Sequence, residues 1–295
     1  MRLAGDGEAL KFKMIAIDLD GTLLSPQGTV NPRTRSAVQR IVQAGPVVCF
    51  ATGRNFTESK PVLEAVGHFD SAVFVGGAMV IDTQKQVTLH RTLMKPELAR
   101  ELCEFFESRS HAVLALQDTT AAGVDYLISK NIPRSQATQK WLEVTRATVH
   151  WIENLGQHPH EHTIRIGIVA PSDPMAELNR TLLKTFGSRI VSHKLIVPAY
   201  GVDVLEVFDP AVNKWEGILH VARIHGIDPS EIIAIGDDIN DVPMVQNAGF
   251  GVAMANGHPE LLAVADRVIG HNRDDGLAIF LEELADQHLN LTPPA

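Results

Sequence analysis

The chain has 295 residues, of which 45% are hydrophobic and 21% charged, so it reads as an ordinary globular protein with enough length for one large or two medium domains. Its formal net charge of −9 argues against broad electrostatic binding to nucleic acid or to an anionic membrane surface, and no apolar run approaches the ~20 residues needed to span a bilayer. Two cysteines, Cys49 and Cys103, exclude a disulfide framework, and with no signal-peptide pattern a cytoplasmic setting is expected.

Residues 1–13 lack a pattern and are expected to form an N-terminal extension. The apolar run Met14-Ile15-Ala16-Ile17 then predicts a strand buried on both faces, which ends abruptly in Asp18-Leu19-Asp20-Gly21-Thr22. Two carboxylates at i and i+2 repel unless a cation or a shared proton relieves them. Asn31-Pro32 marks a helix start, and Gly45 its end. A second strand, Val47 to Ala51, runs into Thr52-Gly53-Arg54, and a helix through Val62, Leu63 and Val66 stops at Gly67. The third strand, Ala72 to Val75, meets Gly76-Gly77-Ala78. Strand alternating with helix predicts a doubly wound, Rossmann-like parallel sheet of the α/β class.

From residue 83 to 200 the texture changes. Alternation of the kind seen in Thr163-Ile164-Arg165-Ile166 predicts a sheet with one solvated face, and hence an inserted α+β domain. His158-Pro159-His160-Glu161-His162 lacks metal-ligand spacing and is expected to be a loop. The first grammar resumes over 201–295: a helix from Lys214 to Gly226, then the strand Ile232 to Ile235 running into Gly236-Asp237-Asp238-Ile239-Asn240-Asp241. The expected catalytic core is therefore 14–82 with 201–295. In an open parallel sheet the carboxyl ends of the strands share one edge, so three polar loops are expected to converge at the topological switch point.

These motifs in this order, Asp18 to Thr22, Thr52 to Arg54, Lys214 and Gly236 to Asp241, resemble the haloacid dehalogenase-like phosphatases of the Cof type, over nearly the whole chain beyond residue 13. The resemblance implies Asp18 as a nucleophile forming an aspartyl-phosphate. Asp20 is then the general acid, its pKa expected to rise through partial burial and the Asp18 charge. It implies Mg²⁺ held by Asp18, Asp20 (through its main-chain carbonyl) and Asp237, with Asp238 and Asp241 in support. Leu19, Thr52, Gly53, Arg54, Lys214 and Asn240 are the implied phosphate contacts. Gly76 stands where members of this group often carry Asn, which removes one amide near the substrate.

The implied activity is Mg²⁺-dependent hydrolysis of a small phosphate monoester, sugar phosphates first and nucleotide or vitamin-cofactor phosphates next, with neither nucleic acid nor membrane as partner. Two alternatives use the same residues: a phosphotransferase or phosphomutase, and a non-catalytic metal-binding regulatory protein. The sequence leaves the oligomeric state open.

Overall fold

The structure is a computed structural model and describes residues 12–68, 70–145, 147–170, 172–197 and 202–287. Most of the expected extension lies outside these residues, but Phe12 is buried beside Phe250 and Lys13 pairs with Glu231, so both belong to the core. The strand β1 (Met14–Ile17) is buried at every position. After a turn over Leu19–Leu23, α1 (Pro32–Ala44) starts with Pro32 and stops at Gly45, whose φ of 113° only glycine adopts readily. β2 (Val47–Phe50) leads through Thr52-Gly53-Arg54 to α2 (Phe56–Val66), which opens on a reciprocal capping box between Asn55 and Glu58.

One strand was expected next, and the structure has three. β3 (Ser71–Phe74), β4 (Met79–Asp82) and β5 (Val87–Arg91) lie side by side in that order, and a parallel bridge between Ala51 and Val73 joins β3 to the end of β2. β4 begins one residue after the turn over Val75–Gly77 and doubles back antiparallel on β3. Polar residues interrupt β5.

Residues 91–212 form a second compact unit, inserted between the two parts of the first, 12–90 and 213–287 among the described residues. The division thus falls at 90/91 and 212/213, against the expected 82/83 and 200/201. β5 completes a sheet of the first unit, and a strand at 202–208 belongs to the second. The second unit runs α3 (Pro96–Glu107), β6 (Val113–Gln117), the single turn α4 (Thr119–Ala122), β7 (Tyr126–Ser129), α5 (Gln136–Thr145), β8 (Val149–Ile152), β9 (Thr163–Ala170), α6 (Ser172–Phe186), β10 (Val191–Val197) and β11 (Val202–Phe208). Its sheet order is β10-β11-β9-β6-β7-β8, with only the β7–β8 pair parallel.

Leu98, Leu102 and Phe106 of α3 and Met175 and Leu182 of α6 share one apolar core with Ile166 and Ile168 of β9. The solvated face expected for β9 is not found, since all eight of its residues are buried. Arg165 is accommodated because it pairs with Glu206 and donates to Tyr126 Oη at 3.1 Å. His160 is also buried rather than solvated, with Nδ1 2.9 Å from Thr163 Oγ1 and Nε2 2.8 Å from the Leu155 carbonyl. Burial moves its pKa down to about 4, so it serves as a neutral packing residue.

The first unit closes with α7 (Lys214–His225), β12 (Ile232–Gly236), α8 (Val242–Asn247), β13 (Phe250–Met254), α9 (Pro259–Val264), β14 (Arg267–Ile269) and α10 (Gly276–Asp286). The main sheet is parallel in the order β14-β13-β12-β1-β2. Met14 and Ala16 share a core with Ile218 and Val221 of α7 and with Met244 of α8, while the alternate residues Ile15 and Ile17 are buried as well, so both faces of the sheet are covered. The chain leaves β1 in one direction towards β2 and returns on its other side at β12, which makes β1 the switch point. Among the described residues no helix is long and apolar enough to cross a membrane.

Candidate active site

Asp18 is the first residue beyond β1 and is almost fully buried. Lys214 opens α7, set there by Asn213, whose side chain accepts from Glu216 N. A close approach fixes that helix start: a Cβ on Gly77, whose φ is 108°, would fall 1.9 Å from the Asn213 carbonyl oxygen. Lys214 Nζ thus reaches Asp18 Oδ1 and Asp241 Oδ1, each at 2.6 Å, with all three side chains buried. Asp18 Oδ2 is buried with no hydrogen-bond partner.

Asp237, just past β12, accepts from Thr22 Oγ1 at 3.0 Å. Asp241 turns its second oxygen back on the loop, accepting from the amides of Asp237 at 3.0 Å and Asp238 at 3.1 Å. Asp238 is exposed and caps the same turn. The two loops interlock at Gly21, where a Cβ would lie 2.0 Å from Asp237 Oδ2. Thr52 is buried, and its Oγ1 accepts from the Arg54 amide at 3.1 Å. The Asn240 amide nitrogen lies 4.0 Å from where a Cβ on Gly53 would be, and Asn240 Oδ1 is buried with no partner. The Leu19 side chain is buried, so any part it plays in binding comes through its main chain.

Asp20 departs from expectation. Its side chain is 55% exposed rather than partly buried, and both of its oxygens accept from the Arg54 guanidinium, Nε to Oδ2 at 2.7 Å and Nη2 to Oδ1. Its carboxylate is therefore held by Arg54 and not by Lys214, unlike those of Asp18 and Asp241.

A family model of haloacid dehalogenase-like hydrolases matches residues 15–281. The chain belongs to that family. It is 29% identical over 273 residues to the 5-amino-6-(5-phospho-D-ribitylamino)uracil phosphatase YitU of Bacillus subtilis, covering 92% of this chain and 96% of that one. It is 27% identical over 281 residues to an HMP-PP phosphatase of Cronobacter sakazakii, covering 94% and 98%. A solved haloacid dehalogenase-like hydrolase of Bacteroides thetaiotaomicron superposes with a TM-score of 0.76 at 21% identity, over 93% of this chain and all of that one.

The electrostatics of this hydrolase's site suit a divalent cation. Asp18, Asp237 and Asp241 offer carboxylate oxygens within 4.8 Å of one another and face one ammonium, so ionising all three leaves an excess of two negative charges for a divalent cation to balance. Burial pushes the Asp18 carboxyl well above its ordinary range, against Lys214 and with Asp241, Asp237 and Asp20 adding to the rise. Burial and then the Asp241 charge raise Asp237 to about 7, against the Thr22 hydrogen bond and Lys214. For Lys214, burial opposes the charge, but Asp18 and Asp241 reverse the outcome and raise its pKa. The unpartnered Asp18 Oδ2 supplies a hard oxygen donor of the kind Mg²⁺ takes. Both Asp241 oxygens are already engaged by protein donors, so the residues that fit the ion are Asp18 and Asp237, and the Asp20 side chain is not among them.

Sequence reasoning did not reach Asn256. Its Nδ2 donates to the Gly21 carbonyl at 2.9 Å and lies 3.4 Å from Asp237 Oδ2, while its Oδ1 accepts from Asn272 N at 3.0 Å. The available signal was a fourth polar loop, Ala255-Asn256-Gly257, directly after β13. Gly76, in place of Asn, has a φ of 65° that both residues tolerate, and its amide donates to the Thr52 carbonyl at 3.0 Å. The turn at the third strand end is therefore kept without the amide side chain.

Proposed function

We propose that this hydrolase cleaves small phosphate monoesters through an aspartyl-phosphate on Asp18. The observation that carries the reading is the buried arrangement in which Lys214 holds one oxygen of Asp18 at 2.6 Å and leaves the other without a hydrogen-bond partner. A phosphate dianion repels an anionic nucleophile, and one fixed ammonium between Asp18 and Asp241 lowers that repulsion without reorganising during the reaction. The Asp18 oxygen bonds to phosphorus as the ester P–O bond breaks, and a proton from Asp20 goes to the departing oxygen to give the alcohol. Water then attacks phosphorus, gives a proton to Asp20, and the bond to Asp18 breaks to release phosphate.

Thr52, the Gly53 amide and Asn240 would donate to the phosphoryl oxygens, a reading supported by the closeness of Asn240 to Gly53 at the loops after β2 and β12. Asp18, Asp237 and the Asp20 main-chain carbonyl would hold Mg²⁺, which when bound supplies charge neutralisation at the phosphoryl group. Asp241 and Asp238 organise the loop that presents Asp237. The inserted unit is the proposed cap that reads the organic part of the substrate. Phosphorylated sugars or sugar alcohols head the substrate list, supported by a relative named for a phosphorylated ribitylamino compound.

The test is phosphate release from sugar, nucleotide and pyridoxal phosphates, with Mg²⁺ and with chelator, for the wild-type chain and Asp18→Asn. Metal-dependent release that Asp18→Asn abolishes is the expected result. Isomer formation without free phosphate would instead identify a mutase, and no reaction in folded, Mg²⁺-bound protein would identify a non-catalytic one.

A further inference from the structure

Asp20 differs from the other carboxylates of the site in both exposure and partner. Asp18 and Asp241 are buried on Lys214, whereas Asp20 lies in the open on the fork of Arg54. Two parallel N–H donors on two carboxylate oxygens fix the plane of the carboxyl group, which a lysine or a single hydrogen bond cannot do. Arg54 is anchored in turn through its main chain: its amide donates to Thr52 Oγ1 at 3.1 Å and its carbonyl accepts from Val75 N at 2.9 Å. The edge of the guanidinium carrying Nε and Nη2 is committed to Asp20.

We propose that Arg54 is a positioning residue for Asp20, fixing the carboxyl group that delivers the proton to the departing oxygen, rather than a phosphate ligand. The inference rests on the phosphatase reading and assigns Arg54 to one part of that reaction, cleavage of the ester bond. When the P–O bond breaks, its electron pair stays on the ester oxygen, and the proton leaves Asp20 for that oxygen. Asp20 becomes a carboxylate, which the guanidinium retains until the attacking water gives up its own proton. An alkoxide leaving group requires that proton, whereas p-nitrophenolate is stabilised by its own ring. Loss of Arg54 therefore falls unequally on the two kinds of ester.

The experiment measures kcat and KM with Mg²⁺ on glycerol phosphate and on p-nitrophenyl phosphate. It uses the full wild-type chain, Arg54→Gln, Arg54→Lys, Asp20→Asn and the Arg54→Gln/Asp20→Asn double variant, with melting curves to confirm folding. Arg54→Gln is expected to lower kcat on glycerol phosphate on the order of 10²-fold, at least about tenfold more than on the aryl ester, with KM moving within about threefold for both. Arg54→Lys is not expected to rescue, because an ammonium cannot form the fork. The double variant is expected to lose little beyond Asp20→Asn on the alkyl ester, since the two side chains act as one unit. Equal losses of kcat on both esters, or a shared rise in KM, would overturn the proposal while leaving the phosphatase reading intact. A wild-type chain inert towards both esters would overturn that reading and the proposal together.

Discussion

Lys214 Nζ stands 2.6 Å from Asp18 Oδ1 and the same distance from Asp241 Oδ1, so a single ammonium joins the end of β1 to the loop that follows β12. Removing it leaves buried carboxylates without their cation. Breaking a buried ion pair in this way costs about 3–5 kcal/mol, more than a surface pair of the same length. Lys214→Met is therefore expected to lower unfolding free energy by about that amount in metal-free protein. It should also reduce kcat on the order of 10²-fold or more with saturating Mg²⁺. Urea titrations and steady-state rates on the same preparations measure both. A variant with wild-type stability and rate would mean that the pair is dispensable.

Asp237 makes stability and metal binding depend on pH in a defined sense. Its native pKa is raised to about 7 from an ordinary value of 3.8, so between the two the folded chain binds more protons than the unfolded one. This group's favourable contribution is fully present below the unfolded value and is lost as pH rises through the native one. Asp18, also raised, acts in the same direction. Metal-free protein is expected to melt at a lower temperature at about pH 8 than at about pH 5.5, and Mg²⁺ to restore more at the higher pH, because the ion displaces a proton that is already gone there. Asp237→Asn should flatten the pH dependence and remove the Mg²⁺-induced rise in Tm. Thermal melts with and without the ion check both.

Gly21 permits the contact between the two acidic loops. Its φ of 82° is costly for a residue with a side chain, and a Cβ there would fall 2.0 Å from Asp237 Oδ2. Gly21→Ala is expected to cost about 1–2 kcal/mol from the backbone and to displace Asp237. Weaker Mg²⁺ binding by calorimetry should accompany the lower Tm. A normal metal affinity in a destabilised variant would separate the backbone effect from the site.

Much of this site was legible because its residues sit where the sequence changes abruptly. Asp18, Thr52 and Asp237 each follow an apolar run directly, and a parallel sheet brings such strand ends to one edge whatever the loops contain. Lys214 was legible as the start of a helix, and its place in the site came from the family resemblance; the Asn213 cap that sets it there emerged with the structure. The partner choices were not. That Arg54 would take both oxygens of Asp20, or that Arg165 would be buried on Glu206, depends on rotamers and on distant chain segments that no local pattern encodes. The inserted unit was placed by texture, but its limits shifted because a strand's sheet membership is decided by pairing, which places β5 with β4 and β11 with β9 and β10.

Asn256 gives the remaining test, because its contacts are confined to positioning. It ties the Gly21 carbonyl at 2.9 Å to the Asp237 carboxylate at 3.4 Å, and the Asn272 amide fixes its own oxygen at 3.0 Å. Asn272 in turn donates to the Leu24 carbonyl at 2.9 Å, so the loops after β1, β12, β13 and β14 are linked through two amides. Hydrogen bonds that orient a ligating carboxylate typically govern 10–100-fold in metal affinity, so Asn256→Ala is expected to weaken Mg²⁺ binding by about that factor. Asn256 is exposed apart from these contacts, so the unfolding free energy without metal should fall only as one or two lost hydrogen bonds allow, about 1–2 kcal/mol. Asn256→Asp adds a charge to an already acidic site. It should bind Mg²⁺ with altered pH dependence while destabilising the metal-free chain more than the alanine does. Calorimetric Mg²⁺ titration of the three proteins decides the matter, and an unchanged affinity in Asn256→Ala would mean that Thr22 alone suffices to orient Asp237.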